Sequence, residues 1–326
     1  MYTFQAERSV EKICYEQEHV NKVLVVIKEN FTKYFNDFII NEGIPKHIDI
    51  NKISSTLNIE NDISEKSKDK SQCFKNILAK GLIDFEKDRK KYLDIFDEEI
   101  LEEYQDDPSA FKSKTLRDEC PIIKSTIYNK SAKALDKYRR DFNLSDANNL
   151  LSVVTNLYKF AINYISNVYN SDNYDSINTY SNILFSELDT ESCTVYGVIG
   201  GGIKSHMLYK FYPSVFPNRG RMAIWAMWYL TDKKAIDCKM DSEFLMIDTK
   251  SCVTQQNYFY PYELFAFYAH QIFQLLNTEA QKLKVPIDLK YRYVIVDSFL
   301  SFISESHISD INTLINQIKD SDYGYE

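Results

Sequence analysis

The sequence is poor in the two residues that break helices, with only 8 glycines and 7 prolines among 326 residues. Few breakers favour long helices joined by polar loops. The apolar fraction of 44% and the charged fraction of 26% are those of a globular protein. These fractions exclude a fibre and a wholly disordered chain.

The sequence also lacks long apolar runs. No stretch of about 18 uninterrupted apolar residues occurs, so no transmembrane helix and no membrane partner are expected. Residues 1–8 have no basic start followed by an apolar stretch, and therefore predict no signal peptide. We expect a cytoplasmic protein.

Cysteine and histidine patterns typical of disulfide frameworks or zinc sites are missing. The 6 cysteines lie far apart without CxxC spacing, and the 5 histidines form no HxxxH or HExxH pattern. A cytosolic chain of this size does not need disulfides for stability. The sequence therefore predicts reduced thiols and no resident metal or cofactor.

Charge is unevenly distributed. The net charge of −8 argues against a protein coated in basic surface. Nevertheless, residues 111–140 carry nine bases against three acids, and residues 196–231 carry four bases and no acid, whereas residues 94–107 carry eight acids and no base. Such blocks are usually solvated helix faces. Two basic tracts in an acidic chain would also fit a local phosphate-binding groove.

The N-terminal half has helical periodicity. Apolar residues from Ile13 to Phe38 follow steps of three and four, which predicts one helix of nearly thirty residues. Its apolar face would pack within the chain, or alternatively against a protein partner or a second copy. Polar residues 58–72 predict a linker. The polar stretch 170–182 predicts a boundary between a helical domain (1–170) and an α+β domain (183–326), although a single domain stays open.

The C-terminal half predicts helices with a small sheet, so the expected class is mainly α, of α+β type. The predicted helices are 203–211, 222–230 with Asn218 as its cap, 261–276 and 308–318, and the predicted strands are 235–238, 243–250 and 291–296.

Four of the eight glycines lie between residues 197 and 202, directly before a predicted helix. Consecutive glycines permit positive φ and expose amide N–H groups, and a helix start adds unpaired donors. An anion bound by Gly200, Gly201 and Gly202 would contact Lys204, Ser205 and His206 in the first turn. Ile203 breaks the GxxxxGK[ST] spacing, so an ATPase is disfavoured. The alternative is a turn that lets two elements pack closely.

The segment 216–230, FPNRGRMAIWAMWYL, places two arginines at a predicted helix start. Cations there oppose the helix dipole, so Arg219 and Arg221 call for a compensating phosphate or buried carboxylate. Trp225 and Trp228 lie on one face of the same helix. They could stack on bases, but core packing is the favoured interpretation.

A third candidate site lies on the predicted hairpin. Strand alternation puts Asp248 and Lys250 on one face, with Asp237 on the preceding strand. Gln256 and Tyr260 follow with QxxxY spacing. This arrangement resembles the PD-(D/E)xK nucleases. The resemblance implies Mg²⁺ held by Asp237 and Asp248, with Lys250 steadying the reacting charge. A surface hairpin with ordinary charges is the alternative.

These observations predict a protein that binds DNA or RNA phosphates through the segment 197–221. One alternative is a Mg²⁺-dependent nuclease that uses Asp237, Asp248 and Lys250. Another is a helical scaffold that binds a partner, or a second copy, through the N-terminal helix and the acidic tract 94–107.

Overall fold

The computed structural model describes residues 10–43, 69–132, 135–237, 242–248 and 253–321. Most of the predicted linker 58–72 lies outside the described residues. Its last residues begin a helix, because the Asp69 carboxylate accepts hydrogen bonds from the backbone N–H groups of Ser71 and Gln72.

Helices dominate the first half of the described chain. They are α1 (Val10–Ile13), α2 (Gln17–Glu42), α3 (Lys70–Ile95), α4 (Glu98–Glu103), α5 (Pro108–Ala110), α6 (Pro121–Tyr128), α7 (Asp136–Leu144), α8 (Ala147–Asn167) and α9 (Ser171–Tyr174), with a π-helical segment at Phe111–Glu119. The long predicted N-terminal helix is confirmed as α2 from Gln17 onward, whereas Ile13 belongs to the separate short helix α1.

The second half adds helices and one hairpin. The helices are α10 (Gly201–Phe211), α11 (Arg221–Leu230), α12 (Tyr262–Lys282), α13 (Arg292–Ser306) and α14 (Ile308–Ser321), and the antiparallel strands are β1 (Leu245–Asp248) and β2 (Val253–Gln256). Short 3₁₀ turns lie at Tyr180–Asn182, Ser186–Asp189, Glu191–Cys193 and Leu289–Tyr291. The mainly α fold with a small sheet is as predicted.

Two of the three predicted strands are wrong over their described residues. Residues 235–237 form no strand, and β1 pairs instead with the later strand β2. Residues 292–296 belong to α13 rather than to a strand. Their side chains are buried on every side of the helix, so the apolar run carries no helical periodicity and mimics a buried strand.

The core is built around α11, α12 and α13. Every residue of α11 from Ala223 to Leu230 is buried, including both tryptophans, which confirms their predicted core packing. α2 packs against α11, α12 and α13, and thereby buries its apolar face within the chain.

One cluster of buried apolar residues extends from Val10 to Ile311 and draws on both sides of residues 170–182. The division into two domains stays a prediction. No helix in the described part of the chain is long and apolar enough to cross a membrane.

Candidate anion-binding site

The glycine-rich segment begins with a tight turn. Val195 and Ile199 form an isolated antiparallel bridge, and Gly197 between them has a φ of +78°. A Cβ on Gly197 would lie 2.6 Å from an Asp141 carboxylate oxygen. Only glycine fits this position without strain. Gly197 is the only glycine with positive φ among the described residues. The prediction that Gly200–Gly202 serve to adopt positive φ is therefore wrong.

Gly201 is required for a different reason, which is the close approach of Arg219. A Cβ on Gly201 would collide with Nη1 and Cζ of the Arg219 guanidinium. The predicted alternative, a glycine that lets two elements pack closely, therefore describes this residue. The guanidinium lies directly against the first residue of α10.

Arg219 is a buried cation. Its side chain is 3% exposed, and Nη2 donates to the backbone carbonyls of Asn257 (3.0 Å) and Tyr258 (3.1 Å). Its Nε atom is buried without a hydrogen-bond partner in the described residues. Burial lowers the pKa of Arg219 to about 10, and the negative charge of Asp189 partly opposes this shift. The guanidinium is thus still protonated at neutral pH.

No salt bridge neutralises this cation within the described residues. Asp189, the carboxylate that affects the pKa of Arg219 most, is occupied elsewhere. Its oxygens accept the backbone N–H groups of Tyr262 at 2.8 Å and Glu263 at 3.3 Å, at the start of α12. A buried guanidinium with an unpaired N–H group and no ion-pair contact is unfavourable, and an anionic ligand would reduce this cost.

Two helix N-termini lie side by side at Arg219. α10 begins after Gly200 and α11 after Gly220, and the Cβ position of Gly202 is 3.8 Å from the Arg219 carbonyl oxygen. Neither helix has a side-chain cap or an acid in its first turn, whereas aspartates cap α3, α4 and α8. The unpaired N–H groups of both helix starts favour negative charge.

The space beside this site is open. A Cβ on Gly200, the residue that precedes α10, would meet no atom within 4 Å. Arg221 is exposed and forms the first residue of α11. Its predicted place in the first turn is confirmed, whereas Arg219 lies two residues before the helix. Asn218 does not cap α11, because the helix begins later and Gly220 occupies the cap position, while the Asn218 amide nitrogen donates to Asp297 (2.9 Å).

Two predicted ligand residues point into the protein. The Lys204 ammonium donates to the Leu188 carbonyl and to the Thr194 hydroxyl (3.0 Å), and burial lowers its pKa. The Ser205 hydroxyl donates to the Gly202 carbonyl (3.1 Å) and accepts the Arg219 N–H group (3.0 Å). Both side chains therefore support the helix start, and neither is directed at an external anion.

His206 lines a separate cavity of about 270 Å³ with Tyr209, Lys210 and Asp297. Burial lowers the pKa of His206 to about 4 and raises that of Asp297 to about 6. Lys210 forms a salt bridge with Asp88 (2.6 Å). The structure therefore separates His206 from the Gly201–Arg219 contact.

The proposed nuclease residues are only partly described. Asp237 has a positive φ of 54° in a loop, and its carboxylate accepts a hydrogen bond from Lys22 (2.9 Å). Asp248 ends β1, and Lys250 lies outside the described residues. No group of three or more metal-ligating side chains occurs in the described residues. The three-residue arrangement stays a prediction, but the strand expected to carry Asp237 is not formed.

Tyr260 of the QxxxY pair belongs to another buried network. The Tyr260 hydroxyl donates to Glu243, which also accepts the hydroxyl of Tyr268 (3.2 Å) and lies 2.6 Å from His19 Nε2. Gln256 is buried at the end of β2. This network ties α2 to the hairpin and α12 and gives Tyr260 a structural role.

The sequence did not predict the turn at residues 257–260. Two carbonyls of this turn, those of Asn257 and Tyr258, accept hydrogen bonds from Arg219. The aromatic run YFYPY at 258–262 resembles core, yet Tyr258 is 55% and Phe259 is 72% exposed. The pairing of Asn257 with Arg219, 38 residues apart, leaves no signal in local periodicity.

The Gly200–Gly202 segment, Arg219 and Arg221 therefore form the candidate site, with Lys204 and Ser205 as its internal supports. Comparison with protein-family models, with characterised proteins and with solved structures finds no match for this chain.

Proposed function

We propose that this protein binds nucleic acid by holding backbone phosphate groups at the paired starts of α10 and α11. The observation that carries the proposal is the buried Arg219 guanidinium, which lies against Gly201 without a carboxylate partner in the described residues. A phosphate oxygen beside it would accept N–H groups from the guanidinium and from both helix starts.

The surrounding charge supports a polyanion rather than a single small anion. Arg221 is exposed at the start of α11. α7, the end of the basic tract 111–140, contacts the turn before Gly200 through Asp141 and Gly197. On α7, the side chains of Lys137 and Arg140 are 73% and 68% exposed, and they pair with Asp141 at 2.9 and 3.7 Å. A strand whose phosphates contacted both Arg221 and α7 would exchange the Asp141 pairs of these cations for phosphate contacts.

The direct test measures binding of a labelled oligonucleotide by fluorescence anisotropy at several salt concentrations. Arg221→Gln is expected to weaken binding and to reduce the slope of log K against log salt by about 0.7 to 0.9, the contribution of one phosphate contact. Lys282→Gln removes the same charge at the far end of α12, roughly 30 Å from its start, and should change neither quantity. Equal effects of the two variants would contradict the proposed site.

Gly201→Ala and Gly200→Ala form a second matched pair. The methyl group at residue 201 displaces the Arg219 guanidinium, whereas at residue 200 it meets no atom within 4 Å. We expect Gly201→Ala to lose oligonucleotide binding and to destabilise the fold by about 1–3 kcal/mol, because buried hydrogen bonds of Arg219 are broken. Gly200→Ala should stay within about 0.5 kcal/mol of the wild type in urea unfolding.

The nuclease and scaffold hypotheses can be tested with the same samples. Cleavage that requires Mg²⁺ and disappears in Asp248→Ala would indicate the nuclease. Absence of any oligonucleotide binding at low salt would overturn the proposal and favour a protein partner.

A further inference from the structure

Three exposed aromatic side chains lie on the two turns that adjoin the proposed phosphate site. Tyr196 is 68%, Tyr258 is 55% and Phe259 is 72% exposed. Phe259 and Tyr196 are the most exposed aromatic residues in the described part of the chain. Isolated exposed apolar residues are common, but a group beside a charged site marks an interaction surface.

The turn that carries Tyr258 and Phe259 is held in place by Arg219. Nη2 donates to the carbonyls of Asn257 and Tyr258, while the Asn257 side chain accepts the Phe259 N–H group (3.1 Å). The Tyr260 N–H group closes the turn on the Asn257 carbonyl (3.3 Å). The cation proposed to bind phosphate therefore also holds the backbone of the turn that carries the two rings.

Tyr196 lies on the other turn of the site, four residues before Gly200. The Val195 and Ile199 backbones exchange two hydrogen bonds, of 3.1 and 2.8 Å, across this turn. The conformation of Gly197 keeps the turn tight and places it against Asp141. Tyr196 is thus displayed from a fixed loop, like the two rings of the other turn.

We infer that the preferred ligand is single-stranded nucleic acid, with bases stacked on Tyr196, Tyr258 and Phe259 and phosphates at the starts of α10 and α11. This inference rests on the proposed function. Bases of a duplex are stacked on one another, whereas unpaired bases can stack on aromatic rings. The net charge of −8 also disfavours duplex binding through phosphate contacts alone.

The experiment compares the affinities of the full-length protein for single-stranded and duplex oligonucleotides of the same sequence. We expect single strands to bind at least about tenfold more tightly. Tyr258→Leu and Phe259→Leu keep an apolar side chain but remove the ring. Each should weaken single-strand binding at least about fivefold and leave the salt dependence unchanged, because no phosphate contact is lost.

Tyr128→Leu is the control, since Tyr128 is 52% exposed on α6, where its hydroxyl donates to Asp118. It should bind like the wild type. Equal affinity for single strands and duplexes, or leucine variants that bind as the wild type does, would overturn this inference but leave the proposed function standing. No binding of either form at low salt would overturn both.

Discussion

At the scale of single residues, hydrogen bonding rather than burial distinguishes the two buried cations near the glycine-rich segment. Lys204 and Arg219 are both at least 95% buried, but they differ in their hydrogen-bond partners. The Lys204 ammonium is directed at an interior carbonyl and hydroxyl, whereas the Arg219 guanidinium keeps Nε without a partner in the described residues. The lysine therefore stabilises the fold, and the arginine is the group with unused hydrogen-bonding capacity.

Buried His270 gives a prediction about pH. Burial, together with the charge of Arg292, lowers the pKa of His270 to about 3. The unfolded chain binds a proton here below about pH 6.5, while the folded chain does not. Stability is therefore complete above that pH and is lost as pH falls towards 3. From pH 7 to pH 5, His270 alone should lower the free energy of unfolding by about 2 kcal/mol.

His270→Asn removes this titration without removing a polar side chain. The variant is expected to be less stable than the wild type near neutral pH, because the His270 ring packs edge-on against Tyr174, with centroids 5.0 Å apart. Its stability should nevertheless fall less steeply on acidification. Urea unfolding at several pH values measures the two slopes, and parallel slopes would show that His270 titrates normally in the folded protein.

At the scale of helices and strands, Gly81 of α3 lies so close to Ser298 of α13 that alanine should not stabilise the helix at this position, in contrast to its usual helix propensity. A Cβ on Gly81 would lie 2.8 Å from the Ser298 hydroxyl oxygen. This hydroxyl donates a hydrogen bond to the Val294 carbonyl (2.9 Å). Gly81→Ala should therefore destabilise the wild type, although alanine favours a helix by about 1 kcal/mol over glycine.

Ser298→Ala should reverse the sign of the effect that Gly81→Ala has on the free energy of unfolding. In a Ser298→Ala background the hydroxyl is gone, and the next Ser298 atom lies 4.0 Å from the added Cβ. There Gly81→Ala should stabilise the protein by up to about 1 kcal/mol. A double-mutant cycle by urea unfolding measures the coupling. The same effect of Gly81→Ala in both backgrounds would contradict the contact.

The sequence predicted the elements with clear periodicity and failed where burial is uniform. α2 and α12 have long apolar patterns, and the predicted ranges 13–38 and 261–276 overlap the observed helices, which both extend a few residues further. Residues 292–296 were predicted as a strand because α13 is buried on all sides, which removes the periodic signal. β2 was missed because its residues, VTQQ, carry little apolar pattern.

At the candidate site, too, local features could be predicted from the sequence and tertiary contacts could not. The helix start at α10 and the cation near the start of α11 could be predicted, since consecutive glycines, a helix start and an arginine in an acid-free segment are local features. The contacts of Arg219 with Gly201 and with the turn at 257–260 depend on tertiary packing. For this reason the sequence grouped Lys204 and His206 with the site, although neither side chain faces it.

At the scale of the whole molecule, the two halves of the described chain depend on one core, and α2 provides the test. Ile27 is fully buried where α2 packs against the central helices, whereas Val25, two residues away, is 53% exposed. Ile27→Asp places an unpaired charge in this core and should destabilise the whole chain by at least about 3 kcal/mol, with loss of a cooperative transition.

Val25→Asp introduces the same charge on the exposed face of the same helix. It should unfold within about 0.5 kcal/mol of the wild type. If α2 instead served mainly as a surface for a second copy, Ile27→Asp would leave a folded monomer of unchanged helicity. Urea unfolding by circular dichroism together with size-exclusion chromatography separates the two cases, because loss of helicity and loss of an oligomer are measured independently. A folded monomeric Ile27→Asp variant would show that α2 is dispensable for the core.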